Sequence, residues 1–555
     1  MFRSIAPYRV PPLVGVLALV LSVACTAAPP PAPTTAPAPK PAPTTAGAAT
    51  APAAKPTVAA AEPTKPAAAP AATQAPAAAP SGAAKNEIVV VQSADVPSLD
   101  PAKNLVVHVF NVAQNVLDTA TYLDRELKVQ PRLAMSWKAI DDTSWEVKFR
   151  SGVKFHDGSP FNTQSVKASF EYQSAADTPS RTFFANWASL DVVDETTVRI
   201  KTKAPEPYFP NVLSRLWIFS AADLKDPATL NTTMIGTGGY KLTEFVKGDH
   251  ITLTANPDYW AGAPKIQKVT FRSAPEASAR VAMLQAGQAD VIVNLPVEQT
   301  RVIEGDGRLR VATVLGLRAV PLMIDQRKGA PLSDLRVRQA MNYAVDREAI
   351  IKNILGGFAA QQPATISPLI EGNNPDVKPY AYDPDKAKQL LTDAGYASGF
   401  EINFYHPTGR WMKDAEAAQA IGQMLAKVGI KTNLKTLEYS TFFANWSKGE
   451  FDGMTMIGVT NPDGAPSSLF NLFLYSKGSW PYSLTDPQLD QMIEKARSMM
   501  DRDERVRTFR EIEKFVHDQA AWIFLWEQKD IYGANKSLKW EPAPNEMIYL
   551  WDASF

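Results

Sequence analysis

The sequence predicts an α/β protein of two lobes carried on an extended N-terminal tether. Three observations predict it: a globular stretch of about 470 residues, ample for two cores; well-punctuated helices alternating with short β-rich runs; and a βαβαβ pattern between Phe400 and Val459.

The chain opens with Arg3 and Arg9, an apolar run from Leu13 to Val23, and small residues before Cys25, the order of a secretory signal peptide over residues 1–24. The run is about 11 residues, against the roughly 20 a helix needs to cross the hydrocarbon core, so removal is expected and not a permanent span. Cys25 is the only cysteine in 555 residues, which excludes an intrachain disulfide. Leu21-Ser22-Val23-Ala24-Cys25 resembles the lipobox of bacterial lipoproteins, with Ser22 where Leu is usual; the alternative is an ordinary signal peptide with an incidental cysteine. On the first reading Cys25 is lipidated and holds the protein to a membrane. Residues 26–85 are almost only Ala, Pro, Thr and Lys and cannot bury a core. As extended chain at about 3.1 Å per residue, about 60 such residues reach on the order of 150 Å, so 25–85 reads as a tether.

In the globular part, Glu87–Gln92 reads as a strand, and Val106, Val109, Phe110, Ala113, Val116 and Leu117 form one helical face. Trp145, Val147 and Phe149 alternate with polar neighbours as a half-buried strand, and 198–203 forms another. A helix over 277–286 ends at Gly287, before a buried strand at 290–293. Asp334, Asp346 and Asp383-Pro384 begin three helices, the second stopping at Gly356-Gly357 and the third at Gly395. Then come strand 400–405, helix 412–428, strand 430–437, a short helix near 442–446 and strand 451–459. This order favours a mostly parallel sheet, with ligand expected beyond the carboxyl ends of its strands. Helices at 486–500 and 502–518 and an apolar strand at 521–526 complete the reading.

Lys plus Arg equals Asp plus Glu at 57 each, which gives nucleic acid no net field to follow. The five histidines are scattered, with no zinc spacing; no P-loop or nucleophile elbow is present, and no globular cysteine could serve as nucleophile. Neither catalysis nor a metal site nor a cofactor is therefore expected. Binding needs only shape, a few polar anchors and aromatic walls. Trp411 and Asp463 stand in the strand-end loops 406–411 and 460–466 and are the leading ligand contacts, followed by His406, Asn461 and Asp95. Structural alternatives are a core tryptophan and a turn aspartate in Asn461-Pro462-Asp463-Gly464.

Four blocks carry a resemblance: Ser98-Leu99-Asp100-Pro101; Pro131-Arg132-Leu133-Ala134 through Trp137 to Phe155-His156-Asp157-Gly158; Ile235-Gly236-Thr237-Gly238-Gly239-Tyr240 through Asn256-Pro257-Asp258-Tyr259-Trp260; and Asp334 to Ala340 through Asp346-Arg347. In this order they resemble family 5 of the extracellular solute-binding proteins, which serve ABC importers of peptides and nickel chelates. The resemblance implies a periplasmic-binding-protein-like fold, type II, cluster C. Its lobe I would hold about 86–115, 220–296 and 520–555, an extra subdomain about 116–219, and lobe II about 297–519, with crossings near Asn294–Val297 and Gln519–Trp522. It also implies capture of a peptide or similar solute between hinged lobes and delivery to a permease whose ATPase is a separate subunit. A monomer outside the cytoplasmic membrane, in a periplasm or at a cell surface, is expected. Peptide binders of the family pair an aspartate of a G-W-x-x-D loop with the ligand ammonium; Ile457 to Asp463 lacks the tryptophan, and Asp463 is the residue that could take that part. An oligosaccharide or metal-chelate binder remains as the alternative, and a secreted hydrolase or adhesion protein as a remoter one.

Overall fold

Two long strands organise the molecule, Leu309–Ile324 and Trp522–Asn535, paired antiparallel along nearly their whole length. The computed structural model describes residues 85–461, 463–478, 480 and 484–555, so the signal peptide, Cys25 and nearly all of the tether lie outside the described residues. The long pair forms the middle of a 12-stranded sheet. On one side the order continues through Val291–Ile292, Glu87–Gln92, Lys268–Ser273, His250–Ala255 and Tyr240–Val246. On the other side it runs through Met454–Met456 and Phe400–Pro407 to Ile430–Leu437.

The βαβαβ segment folds as its pattern requires, with Phe400–Pro407 parallel to both Ile430–Leu437 and Met454–Met456. Its final strand is interrupted: Met454–Met456 and Val459–Thr460 are separate short strands, both pairing with the first long strand. Helices pack on both sheets because their apolar stripes match. Val109, Val112, Ala113 and Val116 of helix Val107–Val116 enter a core with Ile88, Val90 and Phe271. Val337, Ala340 and Met341 meet Ile402, Phe404 and Leu425 in the other half. The caps read from sequence are made: Asp334, Asp346 and Asp383 each accept a backbone N–H of the following turn.

A separate four-stranded antiparallel sheet, Ala134–Asp141, Ser144–Phe149, Thr197–Thr202 and Trp187–Val192, has its own core around Trp145, Phe209 and Trp187. Trp145 and Phe209 stack with centroids 4.5 Å apart.

The second long strand exceeds the sequence expectation, which had only the apolar stretch 521–526; the first was not foreseen at all. Their pairing is broken twice. Gly316 and Leu317 fall in a register shift between Leu315 and Arg318, and Pro321, which has no N–H to donate, sits in a second shift between Val320 and Leu322. The first break also brings the Asp530 carboxylate so close that a β-carbon at Gly316 would lie 2.7 Å from its Oδ2.

Candidate solute-binding cleft

The motif residues that carry the family resemblance turn out to hold the frame of the cleft. Buried Asp118 accepts from Arg132 Nε at 2.5 Å, Thr237 Oγ1 at 2.9 Å and Trp260 Nε1 at 2.8 Å, tying two of the blocks together. His156 joins them again: Gly236 N–H donates to Nδ1, which leaves Nε2 to donate to the Gly238 carbonyl at 2.9 Å. Gly236 and Gly238 are needed by contact, since β-carbons there would stand 1.9 and 2.6 Å from the Val116 carbonyl oxygen. In the other half, Arg347 donates to the carbonyls of Phe524, Asn342 and Val345 and to Asn342 Oδ1. Burial pushes its guanidinium down to about 10, a cost those acceptors offset.

Between the halves, side chains of both meet. Leu127 and Tyr208, from the segment around the four-stranded sheet, share a core with Phe470 and Phe509. Asn211 Nδ2 donates to the Asp463 carbonyl at 2.8 Å, and Lys413 pairs with Glu298 at 3.4 Å. Where the long strands break register, Arg318 pairs with Glu546 at 2.5 Å, beside Asp530 and Glu527. Glu527 is 1% exposed, and desolvation pushes it up to about 7 against the opposing effect of the Ser367 hydroxyl.

Four of the five site residues expected from sequence gather in the second half. Trp411 is buried with its ring edge-on to Tyr439 and Phe442, centroids 6.1 and 6.2 Å away, and lies against Gly458, where a β-carbon would be 2.3 Å from Nε1. Among the described residues that Nε1 has no hydrogen-bond partner. Asp463 opens helix Pro466–Phe473, its carboxylate accepting from Ala465 N–H at 3.1 Å and Ser468 Oγ at 2.8 Å. Asn461 braces the same turn through the Ala465 carbonyl and leaves a buried Oδ1 without a donor among the described residues. His406 is buried, with Nδ1 donating to the Pro407 carbonyl and Nε2 accepting from Thr436 Oγ1 at 3.0 Å, so both ring nitrogens are engaged. Asp95 stands apart, exposed in a hollow of the first half with Gln92, Asp249 and Arg272.

Sequence reasoning passed over Arg215. This guanidinium feels the Asp463 and Tyr549 side chains, yet it makes no hydrogen bond or ion pair among the described residues, and its Nε is buried without a partner. Desolvation pulls its pKa down. A cation inside the apolar run Leu213 to Phe219 was the available signal. Together the two halves bring charges of both signs, Arg215, Asp463, Arg318, Glu527 and Glu546, to the region where they meet.

The model of the bacterial extracellular solute-binding proteins, family 5, matches residues 128–481. The chain belongs to that family. The glutathione-binding protein GsiB of Escherichia coli K12 is 28% identical over 487 residues, covering 82% of this chain and 91% of that protein. Heme-binding protein A of Haemophilus influenzae is 29% identical over 429 residues, 71% of this chain and 78% of that one. Among solved structures, HbpA2 of Haemophilus parasuis superposes with a TM-score of 0.76 at 26% identity, covering 85% of this chain and 100% of that chain. This family 5 protein is therefore a two-lobed solute-binding protein of the kind that supplies an ABC importer.

Proposed function

We propose that the protein captures a small peptide-like solute between its lobes and hands it to the permease of an importer powered by a separate ATPase. The observation that carries this reading is the placement of opposite, mutually unpaired charges near one another at the junction, Arg215 from one side and Asp463 from the other beside the Asn211–Asp463 contact, which suits a zwitterion with separated carboxylate and ammonium ends. GsiB, a relative over most of the chain, is named for glutathione, itself a peptide. In this reading Asp463 receives the ligand ammonium, Trp411 supports the wall behind it, and His406, Asn461 and Asp95 are outer members of the site. We place the passages between lobes within the two long strands, at the register break by Gly316 and opposite it at Gln528–Lys529, because these strands are shared by both half-sheets. Ligand touching both lobes only when they are shut would favour the closed state by its differential affinity. With the signal peptide removed after export, a lipid on Cys25 and the tether of 25–85 would hold this monomer outside the cytoplasmic membrane.

Calorimetry with glutathione, di- and tripeptides, heme and cello-oligosaccharides tests the proposal. Peptides are expected to bind, and Asp463→Asn, which keeps an oxygen for Ala465 N–H and Ser468 Oγ while removing the charge, should weaken them by about 2–5 kcal/mol. Binding of heme or sugars with no response to any peptide would reject the peptide reading.

A further inference from the structure

One β-hairpin of the first half carries a side chain that its backbone disfavours. Strands Thr121–Leu123 and Val129–Pro131 pair antiparallel, and Asp124 N–H donates to the Lys128 carbonyl, which leaves Arg125, Glu126 and Leu127 as a three-residue loop. The last residue of such a loop takes the left-handed conformation, where glycine is usual. Here it is Leu127, with φ of 60°, an outlier for a bulky side chain. Yet Leu127 is only 8% exposed. It lies with Tyr208 in a buried cluster whose other described members all fall between Leu317 and Phe524. Tyr208 faces Phe509, ring centroids 6.3 Å apart, and the Arg505 guanidinium stands 5.0 Å from the centre of its ring.

We infer that Leu127 and Tyr208 are positioning residues that form a latch: a knob of the first half that seats in a socket of the second, stabilises the closed cleft without touching solute, and so sets affinity for every solute alike. Each part is built within its own half. Thr121 Oγ1 donates to the Pro210 carbonyl at 2.9 Å, fixing the hairpin to the segment of Tyr208, and Arg125 of the loop pairs with Asp552 at 2.9 Å. In the socket, Arg505 donates to the Met499 and Met500 carbonyls at 2.9 and 3.2 Å and pairs with Glu371 at 3.6 Å. Those bonds stay in place whether or not the knob is seated. What seating adds is apolar burial and a cation–π contact, with one hydrogen bond crossing beside it, from Asn211 Nδ2 to the Asp463 carbonyl. Backbone strain persists only where the surroundings over-determine it, and the burial of the Leu127 side chain in the socket is what offsets it here. The inference rests on the capture reading for one point alone, that binding requires the cleft to close. Latched molecules are then a minority of about a tenth before solute arrives, and solute shifts the remainder.

Spin labels at Lys201→Cys and Lys435→Cys, both exposed and one on each half, report closure in the full chain carrying Cys25→Ser, and calorimetry with glutathione and trialanine supplies the affinities. The ligand-stripped parent should show a short-distance population of about a tenth that grows as peptide is added. Leu127→Gly removes the knob together with its strain, so the hairpin stays folded, and Tyr208→Ala empties the other seat. Each should abolish the short population in the stripped protein and weaken both peptides by the same factor, at least about fivefold. Tyr208→Phe, which keeps the ring, should behave as the parent. A stripped parent with no short population, a short population unchanged by Leu127→Gly and Tyr208→Ala, or a loss of affinity confined to one peptide overturns the latch. If neither peptide binds, the peptide reading fails and the label distances alone decide the latch.

Discussion

Glu513 shows how one buried side chain can couple stability to pH. Its Oε1 accepts from Thr365 N–H, Thr365 Oγ1 and Ile366 N–H, while Oε2 is buried with no partner. Desolvation outweighs these bonds and pushes the carboxyl from 4.5 up to about 8. In the folded state it keeps its proton at neutral pH, whereas the unfolded chain releases it near 4.5, so folding is progressively opposed as pH rises from about 4.5 to about 8. Glu513→Gln retains the acceptor without the titration. Its thermal midpoint should match the wild type near pH 5 and exceed it by about 2 °C or more at pH 8, by calorimetry across that range; an unchanged difference at both pH values would show that Glu513 does not titrate there. Such residues also mark the limit of sequence reading at this scale. Asp463, Asn461 and Trp411 stand out in the sequence because turn chemistry and strand ends are local signals. Arg215 does not, because what distinguishes it is a buried Nε without a partner among the described residues, which only tertiary packing reveals.

At the scale of elements, capping and periodicity carried most of the helices: Arg502–Asp518 and Ile430–Leu437 have the bounds their patterns suggested. The long strand Leu309–Ile324 escaped because Gly316 and Pro321 interrupt its pattern and read as breakers, although here they are the bulges of one continuous ladder. Helix Arg347–Asn353 is held to the second long strand by a side chain, Arg347 bonding the Phe524 carbonyl. Replacing Arg347 by Met fills the space but strands several buried carbonyls. The variant should lose about 2–4 kcal/mol in urea unfolding, and a loss below about 1 kcal/mol would mean that water or a rearranged strand replaces the guanidinium.

At the scale of the molecule, the four sequence blocks identified the family because they build the frame. Asp118 with Arg132, His156 with Gly236 and Gly238, and Arg347 with the second long strand are the contacts they make. The long strands join the two half-sheets through one ladder whose register breaks at Gly316–Leu317, and under the proposed function lobe closure would bend about that ribbon. Small-angle scattering of the ligand-stripped chain, recorded before and after adding a pool of di- and tripeptides, tests capture between lobes most directly. The account predicts that the radius of gyration falls on addition and recovers when peptide is dialysed away; a value that stays the same at saturating peptide would contradict it.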